Sequence, residues 1–139
     1  MNIVLDTNVL VSGLLTPFGP SGKIVHLVSS GALVVQYDAR ILLEYRDVLF
    51  RPKFQFDQQS IDIVLDYIRQ SGQAICAQQL HHRLPDPDDE PFLEIAVSGG
   101  ATGLITGNQK HFPKHLRQDV TVFSPAEFID FYRTSVKFS

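Results

Sequence analysis

The sequence predicts an α/β fold built on a mostly parallel central sheet with helices on both faces. Short apolar runs alternate with segments of helical periodicity along the whole chain, and that alternation implies parallel strands joined by helical crossovers. The runs are apolar without gaps, as in strands buried on both faces. With 139 residues, 44% of them hydrophobic and 10 of them Phe, the chain fits one domain, residues 1–139, with an ordinary core.

Taken in order, Ile3-Val4-Leu5 is the first strand. Thr7 to Leu15 reads as a helix ended by the turn-rich stretch 16–20. Ser21 to Ser30 is a second helix, apolar at Ile24, Val25, Leu27 and Val28 and closed by Gly31. Leu33-Val34-Val35 is the second strand. Asp38 caps a helix through Leu49 with Ile41, Leu42, Tyr45, Val48 and Leu49 on its apolar arc, and Pro52 forbids its continuation. Ser60 to Ser71 has the cleanest period, with Ile61, Val64, Leu65 and Ile68 at i, i+3, i+4 and i+7 and Gly72 at its end. A short strand is expected over Ala74 to Ala77. A helix follows over Asp88 to Ser98, broken by Gly99-Gly100. Leu104-Ile105-Thr106 and Val120 to Phe123 are the remaining strands. Ser124, Pro125 and Glu127 then form a capping box with proline at the first helical position, opening a last helix that buries Phe128, Ile129 and Tyr132.

Composition narrows the function classes. The formal net charge is −3 and the pI about 5.9, with no Lys/Arg run. A protein that coats duplex nucleic acid carries a basic stripe, so any nucleic-acid substrate here must be met locally, by a few cations and by bound metal. The charged fraction of 19% leaves surface for a second subunit. Cys76 is the single cysteine, which excludes an internal disulfide and suits a reducing compartment. The N-terminus has neither the charge nor the cleavage site of a signal peptide, and no apolar stretch approaches a membrane span. A soluble, cytoplasmic protein without membrane contact is therefore expected. Gly-rich phosphate loops, a nucleophile elbow and a Cys/His pair are all missing, which removes nucleotide kinase, esterase and thiol-enzyme chemistry. The adjacent His81 and His82 point apart on regular structure, His26 suits a helix surface, and no Cys/His spacing suggests zinc.

Acids and amides gather where strands end. In an open parallel sheet, ligands bind beyond the carboxyl ends of the strands. Asp6 follows the first strand, held on a rigid element as a metal ligand should be; capping of the next helix is the alternative. Asn8 lies two residues on and can hydrogen-bond the same ion or its waters. Asp89 shares the stripe of Phe92, Leu93 and Ala96, and an ionised carboxylate facing a core is costly unless it is paired or binds metal. Asp86 and Asp88 are better read as caps or solvated acids. Glu44 borders the apolar arc of its helix; it joins this set, pairs with Arg40 or Arg46, or is a solvated edge acid. Thr106-Gly107-Asn108 ends the fourth strand and offers a hydroxyl and an amide to water, metal or phosphate, or is an ordinary turn. Lys110 and His111 follow in the same loop, in reach of a phosphate or simply exposed. Several carboxylates at one sheet edge make a site for a hard divalent cation.

These residues resemble the PIN-domain family over nearly the whole chain. The stretch from Ile3 to Leu10 looks like the family's first strand with its first acid, Asp6. The stretch from Leu43 to Leu49 looks like the helix bearing its second, Glu44. Asp86 to Ala96 looks like the third motif, with Asp89 the match, and Leu104 to Asn108 looks like the fourth. The resemblance implies a three-layer α/β/α sandwich whose acids bind Mg²⁺ or Mn²⁺ and hydrolyse RNA through a metal-activated water. Asp6, Glu44 and Asp89 would be the metal ligands and Asn108 a fourth catalytic position, orienting water or a second ion. Thr7, Asn8 and Thr106 would support them by hydrogen bonding, and Lys110 would meet the phosphate. Thr106-Gly107-Asn108 followed by His111-Phe112-Pro113 is similar to the branch described as VapC-like toxins of type II toxin–antitoxin pairs, which dimerise and are silenced by an antitoxin. The family often has Asp where this chain has Asn108, which removes one charge from the site.

Two other readings compete. One is a binding module on the same fold, in which Asn108 marks a site that binds RNA or protein without cutting. The other is a phosphatase or phospho-acceptor using Asp6, for which the second acid of an Asp-x-Asp pair is missing because position 8 is Asn.

Overall fold

In a computed structural model that describes residues 1–137, five strands form one all-parallel sheet: β1 (Asn2–Leu5), β2 (Val34–Tyr37), β3 (Gln73–Ala74), β4 (Gly103–Ile105) and β5 (Val122–Phe123). Their spatial order is β3-β2-β1-β4-β5. Six helices cover the sheet as an α/β/α sandwich: α1 (Thr7–Leu15), α2 (Pro20–Ser29), α3 (Ala39–Leu49), α4 (Gln58–Ser71), α5 (Glu90–Ser98) and α6 (Pro125–Lys137). From β1 the chain first works outwards through β2 to β3, then crosses back to β4 and on to β5. The order therefore reverses between β1 and β4, and the carboxyl ends of that pair are where such a sheet opens a crevice.

Burial explains the strands. Ile3, Val4, Leu5, Leu104 and Ile105 have no exposed surface, and β1 pairs with β2 on one side (Ile3 with Val35) and β4 on the other (Leu5 with Ile105). The expected second strand, Leu33 to Val35, is displaced to Val34–Tyr37. Gln36 is wholly buried there, which an apolar pattern does not show; its side-chain amide donates to the Gly99 carbonyl (2.9 Å) and to Gln73 Oε1 (3.0 Å). The third strand pairs at Gln73–Ala74 instead of Ala74 to Ala77, and the fifth is only Val122–Phe123 because Gln118 and Asp119 turn with φ of 49° and 68° just before it.

The helices start at side-chain caps. Asp6, Asp38 and Asp57 accept from the backbone N–H of Thr7, Ile41 and Ser60. The Asp57 cap starts α4 two residues before Ser60. Pro87 and Pro91 leave Asp88 and Asp89 in a 3-10 turn (Pro87–Asp89), so α5 proper begins at Glu90. The Ser124–Glu127 box forms as the sequence implies, each side chain bonding the other's backbone N–H (2.8 and 3.1 Å). Tyr132 is only half-buried, beside the fully buried Phe128. Where α1 meets α2, a Cβ at Gly22 would collide with the Pro17 carbonyl, so the close turn requires glycine. No helix among the described residues is long and apolar enough to cross a membrane.

Candidate active site

Asp6 leaves β1 at the reversal point, and its two carboxylate oxygens are divided between two tasks. Oδ1 accepts from the Thr7 N–H (2.8 Å) and starts α1, while Oδ2 accepts from the Thr106 hydroxyl (2.8 Å) at the end of β4. Capping and membership of a polar cluster thus coexist in one side chain. Thr106 Oγ1 in turn accepts from the Asn108 N–H (3.0 Å), and the Gly107 N–H donates to Asn8 Oδ1 (3.0 Å). The two strand ends are therefore bound together by side chains.

Glu44 comes from α3. The fully buried Ile41, Tyr45 and Leu49 press that helix on the core, and the Tyr45 hydroxyl donates to the Leu5 carbonyl (2.5 Å), the last residue of β1. That anchor sets Glu44 beside the Asp6 turn, where Glu44 Oε2 accepts from the Thr7 hydroxyl. Neither Arg40 nor Arg46 pairs with Glu44: Arg40 pairs with Asp38 and Glu94 (2.8 and 2.7 Å) and Arg46 with Asp62 (3.0 Å).

Asp89 enters from the turn before α5. Its Oδ2 is buried without a hydrogen bond, and the nearest cation-forming group is His111 Nδ1 at 3.3 Å. Burial first, then the charges of Asp6, Asp86 and Glu44, push the Asp89 carboxyl up to about 6 against the opposing pull of His111. Burial likewise raises Asp6, against the bonds from Thr106 and Thr7. Glu44 is raised by burial and by Asp6 and Asp88, against the Thr7 bond and the charge of Arg51. The three carboxylates thus disfavour one another's ionisation.

Asp6, Thr7, Asn8, Glu44, Asp89 and His111 line one cleft of about 510 Å³, which Arg51, Val48 and Phe54 also wall. Asn108, expected as a fourth catalytic position, is not among the residues that line it; its Nδ2 lies 2.9 Å from His111 Nε2. Lys110 is exposed and faces a separate hollow with Lys114 and Arg117. His111, expected only as a loop residue in reach of a phosphate or exposed, lies in the cleft beside Asp89, and Arg51 and Phe54 join it there without having been expected from the sequence. For His111 a signal existed, since positions three apart eclipse in a 3-10 turn and Asn108 caps the turn Gln109–His111. Arg51 and Phe54 lie beyond α3 with no motif to mark them.

The donor set suits a hard divalent ion: oxygen ligands only, one of them a buried carboxylate oxygen with no hydrogen bond. Among the described residues no group of three or more His, Cys, Asp and Glu side chains is spaced to hold one ion directly. An ion taken by one or two carboxylates and otherwise by water, as Mg²⁺ prefers, is compatible with that spacing.

In fold, the chain is similar to the crystal structure of FitAcB from Neisseria gonorrhoeae, with a TM-score of 0.54 and 18% identity over 89% of this chain and 98% of that one. At that identity the likeness concerns the fold alone. Comparison with curated protein sequences finds no match. Residues 2–110, which carry Asp6, Glu44, Asp89 and Asn108, match the family described as PIN domain. The chain therefore belongs to the PIN-domain family, whose members are generally nucleases and typically use divalent metals.

Proposed function

We propose that this protein is a metal-dependent endoribonuclease, the toxin of a toxin–antitoxin pair. The observation that carries the reading is Asp89: a buried carboxylate oxygen without a hydrogen bond, in a cleft it shares with Asp6 and Glu44. A fold gains nothing from such an arrangement unless a cation offsets it.

Asp6 and Asp89 would hold Mg²⁺ or Mn²⁺, with Glu44 a further ligand or the acceptor of a coordinated water. Such an ion supplies Lewis-acid activation of water and neutralises charge on the phosphate undergoing hydrolysis. The remaining work falls to the chain. Thr106 and the α1 N-terminus fix the rotamer of Asp6, Thr7 fixes Glu44, and His111 flanks Asp89. Asn108 Nδ2, 2.9 Å from His111 Nε2, holds the ring so that Nδ1 faces Asp89. Asn8 ties the Gly107 loop down, so the cleft floor is preorganised. Lys110, at the edge of the neighbouring hollow, supplies positive charge to a substrate leaving the cleft.

A cognate antitoxin and a second copy of the chain are the proposed partners. Support comes from apolar surface left in water: Phe18 is 94% exposed, Ile63 69% and Leu43 66%. The alternative, a PIN-fold module that binds RNA or protein without cutting, is favoured by the want, among the described residues, of three directly spaced ligands.

The test is cleavage of RNA by the purified protein with Mn²⁺ or Mg²⁺, with EDTA and Asp6→Asn as controls. Cleavage lost in both controls is the expected result. No cleavage of any RNA, with no metal binding by calorimetry, would leave only the binding module.

A further inference from the structure

The acids of the cleft repel the polyanion that the proposed reaction requires, and the chain as a whole carries a net charge of −3. A local feature must hold the substrate there. One wall of the cleft is built by the segment that leaves α3, and both Arg51 and Phe54 line it beside Asp6, Glu44 and Asp89. The charge of Arg51 reaches the acids, since it pulls against the upward shift of Glu44. Its ion pair with Asp47 spans 3.4 Å between two exposed side chains, a weak hold that leaves the guanidinium available.

The segment is stiff. Pro52 opens a 3-10 turn (Pro52–Phe54) closed by bonds from Phe54 N–H to the Arg51 carbonyl and from Gln55 N–H to the Pro52 carbonyl, both 3.1 Å. Gln55, with φ of 54°, ends it in the left-handed region. The turn presents rings and cations together. Phe54 and Phe56 stack with centroids 5.8 Å apart and planes 24° apart, and Lys53 Nζ lies 5.0 Å from the Phe54 centroid. Phe54 is only half-buried, so apolar ring surface remains in water at the lip of a polar cleft.

Rings interleaved with cations are how proteins hold single-stranded nucleic acid: bases stack on the rings whatever their identity, and the cations take phosphates. A duplex keeps its base faces stacked inside and gains little from such a surface. We infer that Arg51 and Phe54, with Lys53 beside them, form a subsite for single-stranded RNA, a base stacking on Phe54 where the exposed Lys53 ammonium now lies and a flanking phosphate meeting Arg51. The subsite rests on the ribonuclease reading for its purpose, and it delivers the strand to the carboxylates; binding to it does not require cleavage.

The experiment is fluorescence anisotropy of a short labelled single-stranded RNA with the full chain in EDTA, so that nothing is cut. Wild type should bind the single strand more tightly than the same sequence as a duplex. Phe54→Leu, which keeps apolar packing but loses the ring, should weaken binding about tenfold, and Phe54→Tyr should restore it. Arg51→Gln should flatten the slope of log affinity against log salt by about 0.7, the value for one phosphate contact on a single strand. Wild-type affinity in Phe54→Leu, an unchanged salt slope in Arg51→Gln, or equal affinity for the duplex would overturn the subsite. So would failure of Phe54→Tyr to bind while its thermal unfolding matches wild type. A wild-type protein that binds as described but cuts no RNA with Mn²⁺ would sustain the subsite and overturn the ribonuclease reading instead.

Discussion

Asp89 is held in a costly state. Its carboxyl is pushed up to about 6 by burial and by Asp6, Asp86 and Glu44, with His111 pulling the other way, whereas in the unfolded chain it titrates near 3.8. Between those values the folded protein keeps a proton that the unfolded chain has released, so this residue's contribution falls as pH rises from about 4 to about 6. Near neutral pH the site carries an ionised group that the fold disfavours. Asp89→Asn removes that charge and keeps the shape of the side chain. It should therefore stabilise the metal-free protein near pH 7, by about 1–3 kcal/mol, and abolish metal-dependent cleavage. The same substitution should be close to neutral at pH 4, where wild-type Asp89 is already protonated. Thermal unfolding of both proteins in EDTA at the two pH values checks this; equal stability at both would show that Asp89 bears no such strain.

At the scale of elements, caps and burial explain what was legible in the sequence. Helices with an apolar arc were readable because the arc and the buried face are one thing: Ile61, Leu65 and Ile68 of α4 are all buried. Their starts were less so, because a cap is a single side chain outside the period. Asp57, which accepts from the Ser60 N–H and Oγ (3.1 and 2.9 Å), lies outside the run that begins at Ile61. Strands with polar interiors were the least legible: Gln36 belongs to β2 because its side-chain NH2 donates to Gly99 and Gln73, partners that no local pattern contains. The Asp57 cap is also absent from the cleft lining, which makes it a test of independence. Asp57→Ala should cost about 1 kcal/mol in chemical denaturation and leave the rate of RNA cleavage unchanged. A parallel loss of cleavage would mean that α4 is coupled to the site.

At the scale of the whole molecule, the cleft is where four distant stretches of chain meet: the β1 end, α3, the turn before α5 and the β4 loop. The positions of Asp6 and Asp89 were legible because a strand end and a core-facing carboxylate are visible as pattern, whereas Glu44, at the border of its helix's apolar arc, was marked only by the family resemblance. His111 was legible as a loop residue in reach of a phosphate, but its place beside Asp89 was not, and Arg51 and Phe54, on the turn after α3, carry no motif; these positions depend on how the chain closes in space. Closure brings like charges together, so the folded metal-free state is destabilised by the site it builds, and a divalent ion should return that free energy. At an ion concentration about a hundredfold above its Kd, binding to the folded state alone adds about 2.7 kcal/mol. Titrating Mn²⁺ into the EDTA-treated protein should therefore raise Tm by several degrees. Asp89→Asn should begin from a higher Tm and gain much less, so that the two curves converge as the ion is added. A wild-type Tm that Mn²⁺ leaves unmoved would show that the carboxylates do not gather a metal, and their mutual repulsion would then have no offset in the native protein.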